Sequence, residues 1–539
     1  MLPGGKGFYH RGEPHSLWQT EGGHAMDMRL LKESVQMERL AAQGGSQAVV
    51  EGEMTLPGGL REEARVLHAG GMAVTETAEP LQDKVSVSGR VIFHTLYTQG
   101  DPGKVNALEA TADFTHIMDM PGVQPRCRCR VEARVEHVEA SVSGGRLTMK
   151  AIVRLFGRAM AQQPVEALTG LAGVEGLEVS TRQLTVKRTV AEGAGETLLR
   201  EEFALPEGLK IRDTLYGTAT AQIHEVTGGL GRIGMTGQVN LEVVHASAMP
   251  GKPIVITRHT MPFDCAAELT GEDGDQLEGR VTVRDVAVVS QDGEDGERTL
   301  RAEVLLGLEG RADRREELTV LDDAYTVSGD TLTLTAQTVS CRVDDGFCQA
   351  AESGKAMLML PEGSPAVRGL LCGFASPVLT GRERVGGRLN VEGMLEVTLL
   401  YMTDDSPAPV TVRMEEPFRM TFAAQTGEED FIALTMTDVD VNTVTSDRVE
   451  MKYIMHLQAS GTRVRSARLV TDAAAAPAEE MPGGIILYFT QPGETLWDIA
   501  RRYRVPVRDV QNLNPSLKSE PKVGQGVVIW RREKDAAGT

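Results

Sequence analysis

The sequence predicts a mainly β protein: three tandem antiparallel β-sandwich-like repeats of about 150 residues, then a small βααβ module. Three observations carry this. The phrase Leu-Pro-Gly/Glu-Gly starts at Leu56, Leu205 and Leu360, 149 and 155 positions apart. Other landmarks keep step: Phe114, Phe263 and Phe418 each follow their leucine by 58 positions, and Gly89, Gly237 and Gly393 by 33, 32 and 33. Within each unit apolar and polar residues alternate, as at Val85, Val87, Gly89, Val91 and Phe93, or Val239, Leu241 and Val243. Period two means a strand with one buried and one solvated face.

Each copy repeats the pattern in VEARVEHVEASV (131–142), RVTVRDVAVV (280–289) and LTMTDVDVNTV (434–444). Turn formers separate the runs, among them Gly144-Gly145, Asp292-Gly293 and Asp404-Asp405. Many short strands with little helical period suggest a sandwich or barrel-like unit. Gly157, Gly310 and Gly461 close comparable strands, and Leu96-Tyr97 recurs as Leu400-Tyr401, with His245-Ala246 in the middle copy. A unit this long buries its own core, so the repeats read as independent beads. Their spans are 26–165, 178–320 and 325–470. Before them, 1–25 reads as a disordered tail; after them, 471–484, rich in Ala, Pro and Gly, reads as a linker, and the last module spans 485–531.

At 539 residues the chain exceeds one hydrophobic core. Its formal charge is −20, yet Tyr488 to Asp535 holds nine Lys/Arg against six Asp/Glu, so the rest stands at −23. So acidic a body disfavours nucleic acid and anionic lipid as partners, while the basic end suits an acidic one. No apolar run approaches the ~18 residues of a membrane helix, and the first residues contain no signal-peptide core. Cys127, Cys129, Cys265, Cys341, Cys348 and Cys372 show neither metal-site spacing nor a disulfide framework, which fits reduced thiols in the compartment of synthesis.

Chemistry is sparse. There is no Walker-type phosphate loop and no His-Glu-x-x-His. Cys265 is the most tempting nucleophile, but the repeat register puts His116 and Met420 at its equivalents, so a structural thiol is expected. Cys127 and Cys129 share a strand face and could cross-link, though inert thiols are the expectation. His10, His15 and His24 fall in the tail and are not read as a metal site. Asp322-Asp323 and Asp404-Asp405 read as turn residues. No catalytic residue, metal or cofactor is expected.

In the last module Leu487-Tyr488-Phe489 reads as a strand, and Thr495 as an N-cap with Asp498 as its capping-box partner. Leu496, Ile499, Ala500 and Tyr503 share one helical face, with Trp497 and Tyr503 expected to carry much of the burial. Val507, Val510 and Leu513 give a second helix ended by Asn514-Pro515, and Val527-Val528-Ile529 closes the fold.

Tyr488, Gly493-Glu494-Thr495-Leu496, Ile499-Ala500, Asn514 and Gly524-Gln525 closely resemble the LysM pattern, departing where Glu494 replaces Asp and Trp530 replaces Pro. The resemblance implies a shallow groove for N-acetylglucosamine glycans such as peptidoglycan. Gly493, Glu494, Thr495 and Leu496 would form one wall, and Asn514, Pro515, Ser516 and Leu517 the other. Turns and caps need Thr495 and Asn514 whether or not a ligand binds. The repeats resemble SPOCS domains, the third best through Val391-Glu392-Gly393-Met394-Leu395-Glu396-Val397 and Leu400-Tyr401. SPOCS repeats before a LysM module resemble the SipL type of spore-coat morphogenetic proteins of endospore-forming Firmicutes. That resemblance implies a scaffold made in the mother-cell cytoplasm and ending on the spore coat surface. It would link coat proteins to the forespore by docking on a coat-basement ATPase or another coat protein. The competing expectation is a peptidoglycan binder, which would have to be exported.

Overall fold

The protein is described by a computed structural model over residues 28–57, 64–229, 231–272, 274–292, 298–327, 331–423, 431–477, 481–517 and 521–532. The expected tail 1–25, with its three histidines, lies outside the described residues.

The first repeat consists of β1 (Arg29–Thr55), β2 (Ala64–Leu81), β3 (Lys84–Gln99), β4 (Asp101–Asp119), β5 (Arg128–Ser143) and β6 (Arg146–Ala172). The second has β7 (Leu177–Ala204), β8 (Ile211–Gly229), β9 (Arg232–Met249), β10 (Lys252–Glu268), β11 (Gln276–Asp292) and β12 (Arg298–Thr326). The third has β13 (Thr331–Met359), β14 (Gly369–Val385), β15 (Arg388–Met402), β16 (Val410–Ala423), β17 (Phe431–Thr445) and β18 (Arg448–Ala476). Each is a sandwich of two three-stranded antiparallel sheets, ordered β1-β6-β5 over β2-β3-β4 in the first repeat and equivalently in the others. The period-two pattern explains the core: Val85, Val87, Val91 and Phe93 of β3 bury with Leu147, Met149, Ala151 and Val153 of β6.

The landmark glycines and phenylalanines are cross-strand partners: Gly89 with Phe114, Gly237 with Phe263, Gly393 with Phe418. A Cβ on Gly89 would sit 2.3 Å from Val74 O and 2.9 Å from the Phe114 ring, so only glycine fits beneath the ring. A β-bulge faces each glycine from the neighbouring strand, between Thr75 and Thr77, Ile223 and Glu225, and Leu379 and Gly381.

Several sequence expectations need correction. The strands are not short: β1, β6, β7, β12, β13 and β18 run 27 to 29 residues. Gly157, Gly310 and Gly461 do not close their strands, which continue to Ala172, Thr326 and Ala476. β6 and β12 thus pass the expected ends at 165 and 320, and β18 takes residues 471–476 of the expected linker. The extensions have a physical reason, because they bury apolar surface between repeats. Val35, Met37, Val165 and Ala167 of the first repeat pack with Leu184, Val186 and Val320 of the second and Cys341, Ala467 and Leu469 of the third.

The repeats are therefore not independent beads. Contacts β4–β8, β10–β14 and β16–β2 are cyclically equivalent and close the three into a ring with pseudo-threefold symmetry. On its axis Leu96, Val244 and Leu400, each seven positions after its landmark glycine, share one cluster. The equivalent of Leu96-Tyr97 in the middle copy is thus Val244-His245, one position earlier than the leucine count gives. His245 is fully buried, accepts or donates hydrogen bonds with Thr214 Oγ1 (3.1 Å) and Thr257 Oγ1 (2.8 Å), and burial pulls its pKa down to about 4.

The ring also encloses charge. Arg342 of β13 is 1% exposed, and its guanidinium binds Glu38 of β1, Thr189 Oγ1 (3.1 Å) and Asp313. Lys187 Nζ lies 3.4 Å from Asp313 Oδ2, and Thr189 donates to Asp313 Oδ1 at 2.9 Å. Arg128 also reaches Glu38, and Arg311 Nη2 lies 3.2 Å from Asp313 Oδ2, so each buried carboxylate meets more than one cation.

Candidate functional site

The C-terminal module folds as β19 (Gly484–Phe489), α1 (Leu496–Tyr503), α2 (Val507–Leu513) and β20 (Gly526–Arg531), with β19 antiparallel to β20. Gly493 and Gly524 take φ values of +79° and +75°, which a side chain would strain. The expected capping box is present: Thr495 Oγ1 accepts from Asp498 N, and Asp498 Oδ2 accepts from Thr495 N at 2.8 Å. Leu496, Ile499 and Ala500 of α1 bury with Val505, Val510, Leu517, Val527 and Ile529.

The two expected groove walls have different fates. Leu496 and Leu517 are core residues, 4% and 6% exposed. Asn514 is spent on the fold, donating from Nδ2 to Val510 O (2.8 Å) and Val528 O (2.7 Å) while Oδ1 accepts from Val528 N (2.9 Å). Glu494 accepts from Tyr488 Oη (2.6 Å) and Gln491 N (2.8 Å) and pairs with Arg502 Nη2 (2.6 Å). The Tyr488 hydroxyl and the Gln491 amide hold its carboxyl below the usual range. Only Gly493, Pro515 and Ser516 are left exposed. No hydrogen bond among the described residues joins 493–496 to 514–517. The first turn is instead tied to the loop before β20 by the buried Thr490, whose Oγ1 donates to Lys522 O and accepts from Gln525 N at 3.0 Å.

Two features escape the motif. The first is a dock. Tyr325 of β12 enters the module core, its hydroxyl donating to Val505 O at 2.7 Å and its ring meeting Trp497 edge-on at 5.0 Å. Asp323 Oδ2 accepts from Trp497 Nε1 (2.8 Å) and Arg501 Nη1 (2.7 Å), and Arg504 donates to Thr326 O at 3.0 Å. Trp497 therefore faces the second repeat more than its own small core, and Asp322-Asp323 stand on a strand, not in a turn. Asp404-Asp405 do lie in a bend, as expected.

The second is a bare sheet face. Ile485, Leu487 and Phe489 of β19 are 78, 61 and 56% exposed, beside Val528 and Trp530 of β20 at 37 and 46%. Register pairs Ile485 with Trp530 and Leu487 with Val528, so the five form one apolar stripe. Arg532 lies over the Trp530 ring at 5.4 Å. The sequence signal was available: Ile485 to Phe489 is a continuous apolar run, the pattern of a strand covered on both faces. Here the helices cover only one.

No group of three or more His, Cys, Asp or Glu side chains among the described residues could hold a metal ion. Cys265 is buried against Met235 O, and burial raises its thiol to about 11, far from a thiolate nucleophile at neutral pH. Cys129 is likewise pushed up to about 11, and Cys127 is buried.

Residues 64–143 match the family model described as SipL, SPOCS domain, and residues 488–530 match the LysM domain. The SPOCS match falls on β2 to β5 of the first repeat, not on the third, whose wording resembles the family best. No curated protein and no solved structure matches the chain. The chain is a SPOCS-plus-LysM protein. The SPOCS family is sporulation-associated, and both domains are of non-catalytic binding types, the LysM module being of the peptidoglycan-binding kind. No helix among the described residues is long and apolar enough to cross a membrane.

Proposed function

We propose that the protein is a non-enzymatic scaffold of spore-coat assembly, made in the mother-cell cytoplasm and deposited on the forespore, whose C-terminal module docks a coat protein such as the coat-basement ATPase. The observation that carries this reading is the apolar stripe of Ile485, Leu487, Phe489, Val528 and Trp530. Aliphatic and aromatic side chains in a row suit a protein interface core better than a hydroxyl-rich glycan. Arg532, over the Trp530 ring, favours an acidic partner. The proposed glycan walls count against the alternative, because Leu496, Leu517, Asn514 and Glu494 are engaged within the fold. Gly493, Thr495, Pro515 and Ser516 remain its candidate contacts. The closed ring gives the module a rigid acidic platform instead of flexible spacers.

The test is capture by the full chain from sporulating-cell lysate, identified by mass spectrometry, beside sedimentation with purified peptidoglycan. Recovery of a coat ATPase or coat protein, lost in a Leu487→Glu/Trp530→Glu variant, supports the scaffold. Sedimentation with peptidoglycan and no protein capture supports the glycan reading instead.

A further inference from the structure

The ring encloses a second feature, independent of the scaffold reading. After the bulged Leu67, Leu215 and Leu371, the register sets His68 opposite Leu96, Tyr216 opposite Val244 and Cys372 opposite Leu400. One position of the repeat thus places a histidine, a tyrosine and a cysteine around the axis. Beside them lies a cavity of about 340 Å³, adjoining another of about 680 Å³ with which it shares His68, Arg134 and Phe374.

Its walls are flat rings. His68 stacks on Phe374 with centroids 3.9 Å apart, and His94 on Tyr216 at 4.9 Å. Burial and the Arg413 charge lower His68 to about 3, so it stays neutral near pH 7. His94 is 6% exposed, and its Nδ1 lies 3.3 Å from Glu109 Oε2 without hydrogen-bond alignment. The cavity also contains the Arg134 guanidinium, which has no ion pair or hydrogen bond among the described residues. The carboxylates that act on it are committed elsewhere, Glu132 to Arg280 and Glu136 to Arg154 (3.0 Å), and the exposed Asp285 also lines the cavity. Glu242 is held by Arg258 at 3.0 Å. Desolvation lowers the Arg134 pKa to about 10, offset only in part by the charges of Glu132 and Glu136.

We propose that this cavity binds a compact planar organic carboxylate, its two oxygens forked on Arg134 and its ring against His68, Phe374, His94 and Tyr216. A guanidinium offers two parallel donors in the plane a carboxylate needs. Aromatic walls with few polar groups select a flat apolar body.

The probe is 4-fluorobenzoate added to the full chain and followed by fluorine NMR, with 4-fluorobenzamide and inorganic phosphate as controls. Saturable binding of the benzoate, displaced by unlabelled benzoate and at least tenfold tighter than either control, is expected. Arg134→Met should weaken it at least tenfold. Thr218→Trp, which fills the cavity from β8 and keeps Arg134, should do the same, and it decides the matter if the first variant does not fold. No saturable binding to the native chain overturns the proposal. So does undiminished binding by a folded variant, or equal binding of the benzamide.

Discussion

Arg342 and Glu38 form a buried salt bridge between the third and first repeats, from positions that the register does not make equivalent: Leu40, Thr189 and Arg342 each stand just before the bulge of their strand, and Glu38 and Lys187 two residues earlier. That position thus carries a leucine, a threonine and an arginine, and Glu38 and Asp313 supply the negative charge that Arg342 meets. Charge thereby distinguishes three otherwise similar repeats at the centre of the ring. Arg342→Met should destabilise the chain by about 3 to 5 kcal/mol, because it removes the buried cation that bridges both carboxylates and leaves Glu38 to Arg128 and Asp313 to Lys187 and Arg311. Glu38→Gln added to it should recover part of that loss. Urea unfolding of the two variants measures both, and equal stability of the single variant and the native chain would refute the role.

The landmark glycines predict a sharp contrast. Gly237→Ala brings a Cβ to 2.0 Å from Gln222 O and 2.6 Å from the Phe263 ring, so a loss of about 1 to 3 kcal/mol or more is expected. Gly44→Ala meets nothing within 4 Å and should be neutral or stabilising by up to about 1 kcal/mol. Thermal unfolding of the pair checks this.

His245 makes stability depend on pH. Its folded pKa, near 4, lies below the unfolded value of 6.5, so between them the unfolded chain binds more protons. Stability is therefore unaffected above about pH 6.5 and falls as pH drops towards 4, by about 2 to 3 kcal/mol for this group. Tyr97 and Tyr401 occupy the equivalent positions, so His245→Tyr should fold and show a shallower decline over that window. An unchanged slope would show that His245 does not titrate as described.

The module's dock is testable by hydrogen exchange. Asp323→Ala removes the acceptor shared by Trp497 and Arg501, at a cost of about 1 to 3 kcal/mol. Amides of α1 and the end of β12 should lose protection together. Leu496→Asp, by contrast, should unfold the module itself, because it buries a charge in a very small core. A native-like circular dichroism spectrum for that variant would contradict the helix-face assignment.

What the sequence revealed was the local part of the structure. Gly89 and Phe114 repeat because they touch across one strand pair, and Thr495 and Asp498 were legible because they cap one turn. The ring was hidden, because period-two patterning does not tell which strand end covers which, and the ends of β6, β12 and β18 look like connections when read alone. Tyr325 was hidden for the same reason: its partner Val505 is 180 residues away. The groove residues Leu496, Asn514 and Leu517 were recognised by pattern, and in the structure all three serve the fold, two in the core and one bonded to backbone.

The central claim, that the C-terminal module docks protein through its bare sheet face, is tested most directly by titrating the purified full chain against purified coat-basement ATPase. The account predicts saturable binding that falls at least tenfold in Leu487→Glu/Trp530→Glu, with the circular dichroism of the chain unchanged. Binding undisturbed by that pair but abolished by Pro515→Ala/Ser516→Ala would contradict it, as would no binding by the native chain.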